Sequence, residues 1–354
     1  MKNKIITFTF VGYLILLSVL HIALPDKSIS TTERRELRKF PEFSLSSEYV
    51  TKVEKYLLDH FPLREDYRSI KATFNYNVLN RLENNNIYLK DNYIFKSNYP
   101  TNKKSINNFI IKINNLKEHL TKNNKTYIMI VPDKNYYLKD NNFLHIDYNY
   151  IYKEIDNLDI EKIELTNTLS LEDYYQTDTH WKQENLSKVL YEMSIVMDFD
   201  YNETKYNKKE YNNFYGVYYG ESAVKRNPEN ITYLTNNIID NAKVTYLEND
   251  SLTSVYNIEN LNSLDPYEVY LDGASSYIEI NNPNSNNDKE LVIFRDSFGS
   301  SITPLLIEYY PKITLIDNRY INSDNFLKNI TFKDQDVLFL YSTLLVNDSG
   351  SLKG

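Results

Sequence analysis

Four short, nearly continuous apolar runs constrain the fold most: Tyr127 to Val131, Leu291 to Phe294, Ile313 to Ile316 and Val337 to Tyr341. Such runs suit strands that are buried on both faces, which is the situation in a parallel sheet covered by helices. Segments with helical spacing accompany them. Ile106, Phe109, Ile110, Ile113, Leu116 and Leu120 fall on one helical face, as do Leu186, Val189, Leu190, Met193 and Met197. This alternation predicts an α/β domain with a mostly parallel sheet flanked by helices, over residues 86–354. A chain of 354 residues, 42% hydrophobic, holds one large core more readily than several small ones. Residues 200–288 are rich in Asn, Tyr and turn sequences and resist ordering into elements.

The N-terminus carries a different signal. Lys2 and Lys4 precede an uncharged run from Ile5 to Pro25, close to the length a helix needs to cross the hydrocarbon core. A secretory signal is the competing reading, but the run is long for one, and His21 stands where a small residue is wanted before Ala23. Residues 1–25 are therefore expected to be a short cytoplasmic tip and a transmembrane anchor. Lys27, Arg34, Arg35, Arg38 and Lys39 outnumber Lys2 and Lys4, so charge counting alone would leave the downstream side in the cytoplasm. Long domains translocate largely regardless of flanking charge, and the body of the chain is acidic, so the domain is placed outside. Residues 26–45, polar and broken by Pro41, read as a juxtamembrane tether. Residues 46–85 read as amphipathic helices packing on the main domain, through Tyr49, Val53, Tyr56 and Leu57, then Tyr67, Ile70, Phe74 and Val78.

A formal net charge of −8, with no basic cluster in the body of the chain, argues against a nucleic-acid partner. The absence of cysteine excludes disulfides, thiolate catalysis and zinc–sulfur sites.

In an open parallel sheet, ligands bind beyond the carboxyl ends of the strands. The run ending at Phe294 breaks there into Arg295-Asp296-Ser297-Phe298-Gly299, followed by a helix-like segment through Ile302, Leu305, Leu306 and Tyr309. A serine at such a turn can present its hydroxyl to the crevice, with helix N-terminal N–H groups beside it for an oxyanion. The plainer reading is that Asp296 or Ser297 caps the helix. A second cluster, Tyr174-Tyr175-Gln176-Thr177-Asp178-Thr179-His180-Trp181, holds the sole tryptophan and one of five histidines. Two residues apart in an extended loop, Asp178 and His180 can face the same side, the carboxylate holding the imidazole tautomer while the other ring nitrogen accepts a serine proton. Alternatively Asp178 or Thr179 is an N-cap with Trp181 in the core, or Asp-x-His is half of a metal site. His21 lies in the apolar run, and no partner is evident near His60, His119 or His145, so no metal is expected.

At these residues the chain resembles the DHHW protein family of bacterial surface proteins and, more distantly, the SGNH-hydrolase-like domains of alginate-acetylation proteins. The naming motif reads Asp178-Thr179-His180-Trp181, with Thr179 where the second letter would be His, and Arg295 precedes the Asp-Ser pair. The likeness also takes in YLLDHFPLRED, NNIYLKDNYIF, NNFYGVYYGES, YLDG, FRDSFGSS and ITLIDNRY. It implies an SGNH-like α/β domain in which Asp178, His180 and Ser297 form a triad, in the reverse of the usual SGNH chain order. Oxyanion or substrate-binding candidates are Asp296, Gly273, Asn281, Trp181 and Tyr175, with Lys134 and Arg319 as contacts for an anionic polymer. The function implied is O-acetylation of an extracellular polysaccharide or glycopolymer, with a membrane-bound O-acyltransferase as candidate partner and no cofactor. The alternatives are a non-catalytic carbohydrate-binding or scaffold component, and an acetylesterase working through the same residues.

Overall fold

The structure, a computed structural model, describes residues 2–138, 142–247, 249–285 and 288–353, without the side chains of residues 249–252. The chain divides into two compact units, Met1–Asn85 with Tyr219–Asn227, and Asn86–Tyr218 with Pro228–Gly354.

In the first unit, α1 (Lys2–Ala23) is an uninterrupted apolar helix with no buried residue, long and apolar enough to cross a membrane. Two shorter helices follow, α2 (Ser47–Asp59) and α3 (Arg64–Asn77). The stretch 26–45, expected as an extended tether, instead contains a small antiparallel pairing of Ile29–Ser30 with Arg35–Glu36. It is tied down by charge: the Arg35 guanidinium forks onto the Asp59 carboxylate at 3.0 and 2.6 Å. Glu33 accepts Arg64 at 2.8 Å and Arg68 at 3.2 Å. Fork-to-carboxylate pairs fix geometry as well as energy, which explains order in a segment that lacks an apolar core.

The second unit is built on eight strands: β1 (Thr126–Val131), β2 (Glu161–Ile163), β3 (Lys243–Tyr246), β4 (Asn249–Thr253), β5 (Tyr277–Asn281), β6 (Leu291–Arg295), β7 (Lys312–Ile316) and β8 (Asp336–Ser342). They form one sheet in the order β4-β3-β5-β7-β6-β8-β1-β2. Pairing is parallel from β7 through β6, β8 and β1 to β2, and antiparallel from β7 outward through β5, β3 and β4. Only β5 and β4 thus oppose the common direction, and the sheet is mostly parallel as the apolar runs predict.

Alternate side chains of the central strands enter two separate cores. Met129, Ile293, Leu338 and Leu340 pack on one face with Val189, Leu190 and Met193 of α6 (Ser187–Met197). On the other, Ile128, Val292, Phe294 and Phe339 meet Ile106, Phe109 and Ile113 of α4 (Lys103–Lys117) and Ile151 and Ile155 of α5 (Tyr148–Asp156). Each such side chain contributes about 1.5–3 kcal/mol by leaving water, and the two-sided burial is why these strands read as continuous apolar runs. The polar segment 200–288 supplies the antiparallel edge and a separate hairpin, Asn207–Phe214 with Glu229–Thr235. The first arm of that hairpin is mostly exposed, and six of its eight residues are Asn, Lys or Glu, so it has no strand signature in the sequence.

Candidate active site

Ser297 stands where β6 ends and α7 (Phe298–Leu306) begins. Asp296 fixes this turn from beneath. One of its carboxylate oxygens accepts the N–H of Phe298 at 3.0 Å, and the other accepts the N–H and hydroxyl of Ser342 on β8 at 2.8 and 2.7 Å. Asp296 is therefore buried in capping and strand-bridging work, and it is Ser297 that is left half-buried at the sheet's carboxyl edge.

The Tyr174–Trp181 segment reaches the same place from the far side of β1. It is non-helical, and its His180 Nδ1 lies 2.7 Å from Asp178 Oδ1, while His180 Nε2 lies 2.8 Å from Ser297 Oγ. A carboxylate can only accept, so Nδ1 carries the proton, and Nε2 of the neutral ring is left to accept from the serine hydroxyl. His180 also lies flat against Tyr267, ring centroids 3.8 Å apart and planes 7° apart, and its edge meets Phe298. The ring has little freedom to swing away.

Four groups hold the Asp178 loop. Glu229 accepts the N–H groups of Gln176 and Thr177, each at 2.7 Å, and the Thr177 hydroxyl at 2.6 Å. Gly216 and Val217 donate backbone N–H groups to Thr177 Oγ1 at 2.9 Å and to Asp178 Oδ2 at 2.8 Å. Lys134 reaches from beyond β1 to place its ammonium on the carbonyls of Tyr175, Gln176 and Asp178 at 3.1, 3.1 and 2.7 Å. Burial pushes Lys134 down to about 7, against the upward pull of Asp178 and Glu229.

Several sequence candidates therefore have other occupations. Lys134 is buried beneath the loop, so it is not placed to meet a polymer. The Arg319 guanidinium is forked onto Asp317 at 2.9 and 2.6 Å. Trp181 is fully buried, its indole N–H shared between the Phe298 carbonyl and the Ser301 hydroxyl, and it buttresses α7. Tyr175 packs on Phe214 in the core and donates its backbone N–H to the His180 carbonyl. Asn281 pairs with Lys312, the first residue of β7, whereas Ser297 follows the last residue of parallel β6. The two lie at opposite ends of the sheet, separated by roughly five residues of strand, on the order of 17 Å. Gly273, at φ 75°, closes a turn and donates its N–H to the Tyr270 carbonyl. The Ser297 N–H has no acceptor among the described residues, and it sits at the positive end of α7.

Glu229, Tyr267 and the Gly216-Val217 pair were not singled out from the sequence as site residues. Gly216 had a signal, since NNFYGVYYGES is among the motifs carrying the resemblance; Glu229 and Tyr267 lie in the polar segment and had none.

Among the described residues, no group of three or more His, Asp or Glu side chains is arranged to hold a metal.

No protein-family model and no curated protein sequence matches the chain. Solved structures do. A DHHW family protein from Eubacterium siraeum DSM 15702 superposes with a TM-score of 0.63 at 18% identity, over 77% of this chain and 97% of its own. Bacillus cereus PatB1 with a sulfonyl adduct follows at 0.58 and 19% identity, over 73% of this chain and 97% of its own. A second structure of PatB1 gives 0.57 at 18% identity, over 76% and 97%. At these identities the likeness is one of fold, and the first of these structures comes from the family that Asp178-Thr179-His180-Trp181 resembles.

Proposed function

We propose that the chain is a membrane-anchored, extracytoplasmic serine O-acyltransferase that acetylates a cell-surface polysaccharide through Ser297, His180 and Asp178. The observation that carries this reading is the unbroken line of hydrogen bonds from Asp178 through His180 to Ser297 at the carboxyl end of a parallel sheet. His180 Nε2 takes the hydroxyl proton as Ser297 Oγ attacks the acyl carbonyl, and Asp178 stabilises the imidazolium so formed. The Ser297 N–H is the available donor for the oxyanion. The leaving oxygen of the donor then takes the proton from His180, giving an acyl-enzyme. An acceptor hydroxyl attacks that ester, passes its proton to His180 and departs acylated, and Ser297 recovers its proton.

Acetyl as the group, and a surface polysaccharide as the acceptor, rest on the resemblance to the DHHW and alginate-acetylation families. The helix Lys2–Ala23 supports the anchor, with the second unit outside the cytoplasm. Protease added to intact spheroplasts should digest the second unit; full protection would reverse that orientation.

The full chain in detergent should hydrolyse an activated aryl acetate, and a sulfonyl fluoride should label Ser297. Ser297→Ala should lower the rate about 10⁴-fold, and Asp178→Asn about as much by leaving the wrong tautomer. Surface-polymer acetylation should fall in cells carrying Ser297→Ala. A folded but inert protein whose Ser297→Ala variant leaves acetylation unchanged would instead be a binding or scaffold component. Raised polymer acetylation in that variant would identify a deacetylase.

A further inference from the structure

Helix α3 is turned inside out. Leu63, Tyr67, Ile70, Phe74 and Val78 recur at helical spacing and form one stripe without a charge. Along it, Leu63, Ile70, Phe74 and Val78 are 60, 64, 50 and 60% exposed. It is the polar side that turns inward. Arg64 and Arg68 reach Glu33, Arg68 also donates to the Gly220 carbonyl at 2.8 Å, and buried Asn75 donates to Asn84 at 2.8 Å. A helix at the surface of a water-bathed domain has the opposite arrangement.

The chain also fixes where this face must be. Asp26, three residues beyond the end of α1, accepts the Tyr56 hydroxyl of α2 at 2.9 and 2.8 Å. The Arg35–Asp59 fork then ties the intervening strap to the last residue of α2. α2 is thus held where α1 ends, and α3 meets α1 itself through the Tyr13 and Tyr67 hydroxyls, so if α1 crosses a bilayer α3 lies beside it in the adjoining leaflet. Their side chains suit that position. Lys71 flanks the stripe, and with Leu58, Phe61, Tyr67, Arg64 and Arg68 it lines a cavity of about 380 Å³.

We infer that the α3 stripe is embedded in the headgroup and upper acyl region of the membrane that α1 enters, Lys71 meeting anionic headgroups, so that the first unit lies on the bilayer as well as being threaded through it. This rests on the reading of α1 as a membrane anchor, and the test separates the two.

The chain has no cysteine, so single cysteines can be introduced and labelled with bimane in the full-length protein. The positions are Ile70→Cys and Phe74→Cys on the stripe, Leu14→Cys in α1, and Lys104→Cys in the second unit. The protein is reconstituted into nanodiscs of phosphatidylcholine and phosphatidylglycerol. Quenching by nitroxide-bearing lipid is compared with quenching by aqueous iodide. Loss of fluorescence to nitroxide lipid is expected at Leu14, Ile70 and Phe74, with Lys104 quenched by iodide alone. If Leu14 responds to lipid while Ile70 and Phe74 respond to iodide like Lys104, the stripe faces water and the inference fails. If those two positions are shielded from both quenchers, a protein or a second copy covers the stripe, which also overturns it. A Leu14 open to iodide removes the anchor itself, and the inference with it.

Discussion

Gly216→Ala tests whether the position of Asp178 controls the chemistry. A Cβ built on Gly216 would lie 2.3 Å from the Asp178 nitrogen and 2.3 Å from both the carbonyl carbon and oxygen of Thr177. Ordinary van der Waals contact begins near 3.4 Å, and the obstructing atoms are backbone, with no flexible end to swing aside. The two segments must therefore part by about 1 Å, which strains a packed site at a cost of about 1–3 kcal/mol. The same movement carries the Asp178 carboxylate away from His180 Nδ1, and a 2.7 Å contact lengthened by about 1 Å is no longer a hydrogen bond. It also pulls Asp178 Oδ2 off the Val217 N–H that orients it. A misplacement of this size costs about 10²-fold in rate, and complete loss of the carboxylate's hold about 10⁴-fold, so kcat on an aryl acetate should fall between these limits. The assay is run on full-length protein in detergent below the melting transition, with circular dichroism to confirm folding. Gly350→Ala, where nothing lies within 4 Å of the added carbon, is the control and should change neither rate nor stability. A Gly216→Ala protein with unaltered kcat would show that the loop either yields elsewhere or does not position the reacting groups.

Lys134→Met removes a charged donor from the carbonyls of Tyr175, Gln176 and Asp178; Gln176 keeps the Ile94 N–H, but each of the other two left unpaired costs about 1–3 kcal/mol, to be read as a lower urea midpoint. Asp296→Asn turns an amide N–H₂ towards the donors of Ser342 or of Phe298, so it should lose about 1–3 kcal/mol in the same measurement even though the shape is kept. In the first unit, hydrogen bonding to Arg35 holds the Asp59 carboxyl down at about 2, from an ordinary 3.8. The unfolded chain then binds more protons between those values, so a contribution of about 2 kcal/mol is present above about pH 4 and is lost as pH falls towards 2. Denaturant titrations at pH 6 and pH 2.5 should show that loss, and Asp59→Asn should abolish the difference attributable to this pair.

The elements around the candidate site were legible because their causes are local. β1, β6, β7 and β8 are buried on both faces and are apolar along nearly all of their central runs, and α4 and α6 show one apolar side each because each covers one face of the sheet. Ser297 at a strand-to-helix turn and Asp178 two residues before His180 are likewise properties of adjacent residues. What could not be read is what depends on partners distant in the chain. β3, β4 and β5 are polar enough to pass for loops, and it is pairing of β5 with β7, β3 with β5 and β4 with β3 that makes them strands. Candidate roles for Lys134 and Arg319 followed from their charge, but charge does not reveal whether a carboxylate or a set of carbonyls already holds it. Asn281 was a chemically reasonable oxyanion donor, and the antiparallel register of β5 puts it at the far end of the sheet.

The α3 stripe makes the same division within one helix. Its amphipathic period was fixed by the order of residues alone, since side chains three and four apart must share a face. Which way that face turns was decided by Glu33 and Asn84, which draw the polar side inward through ion pairing and hydrogen bonding. Likewise, sequence determined that a serine, a histidine and an aspartate would occupy two loops. Bringing Ser297 Oγ to 2.8 Å from a histidine 117 residues away required the parallel sheet that carries one loop and the Glu229, Gly216 and Lys134 contacts that hold the other.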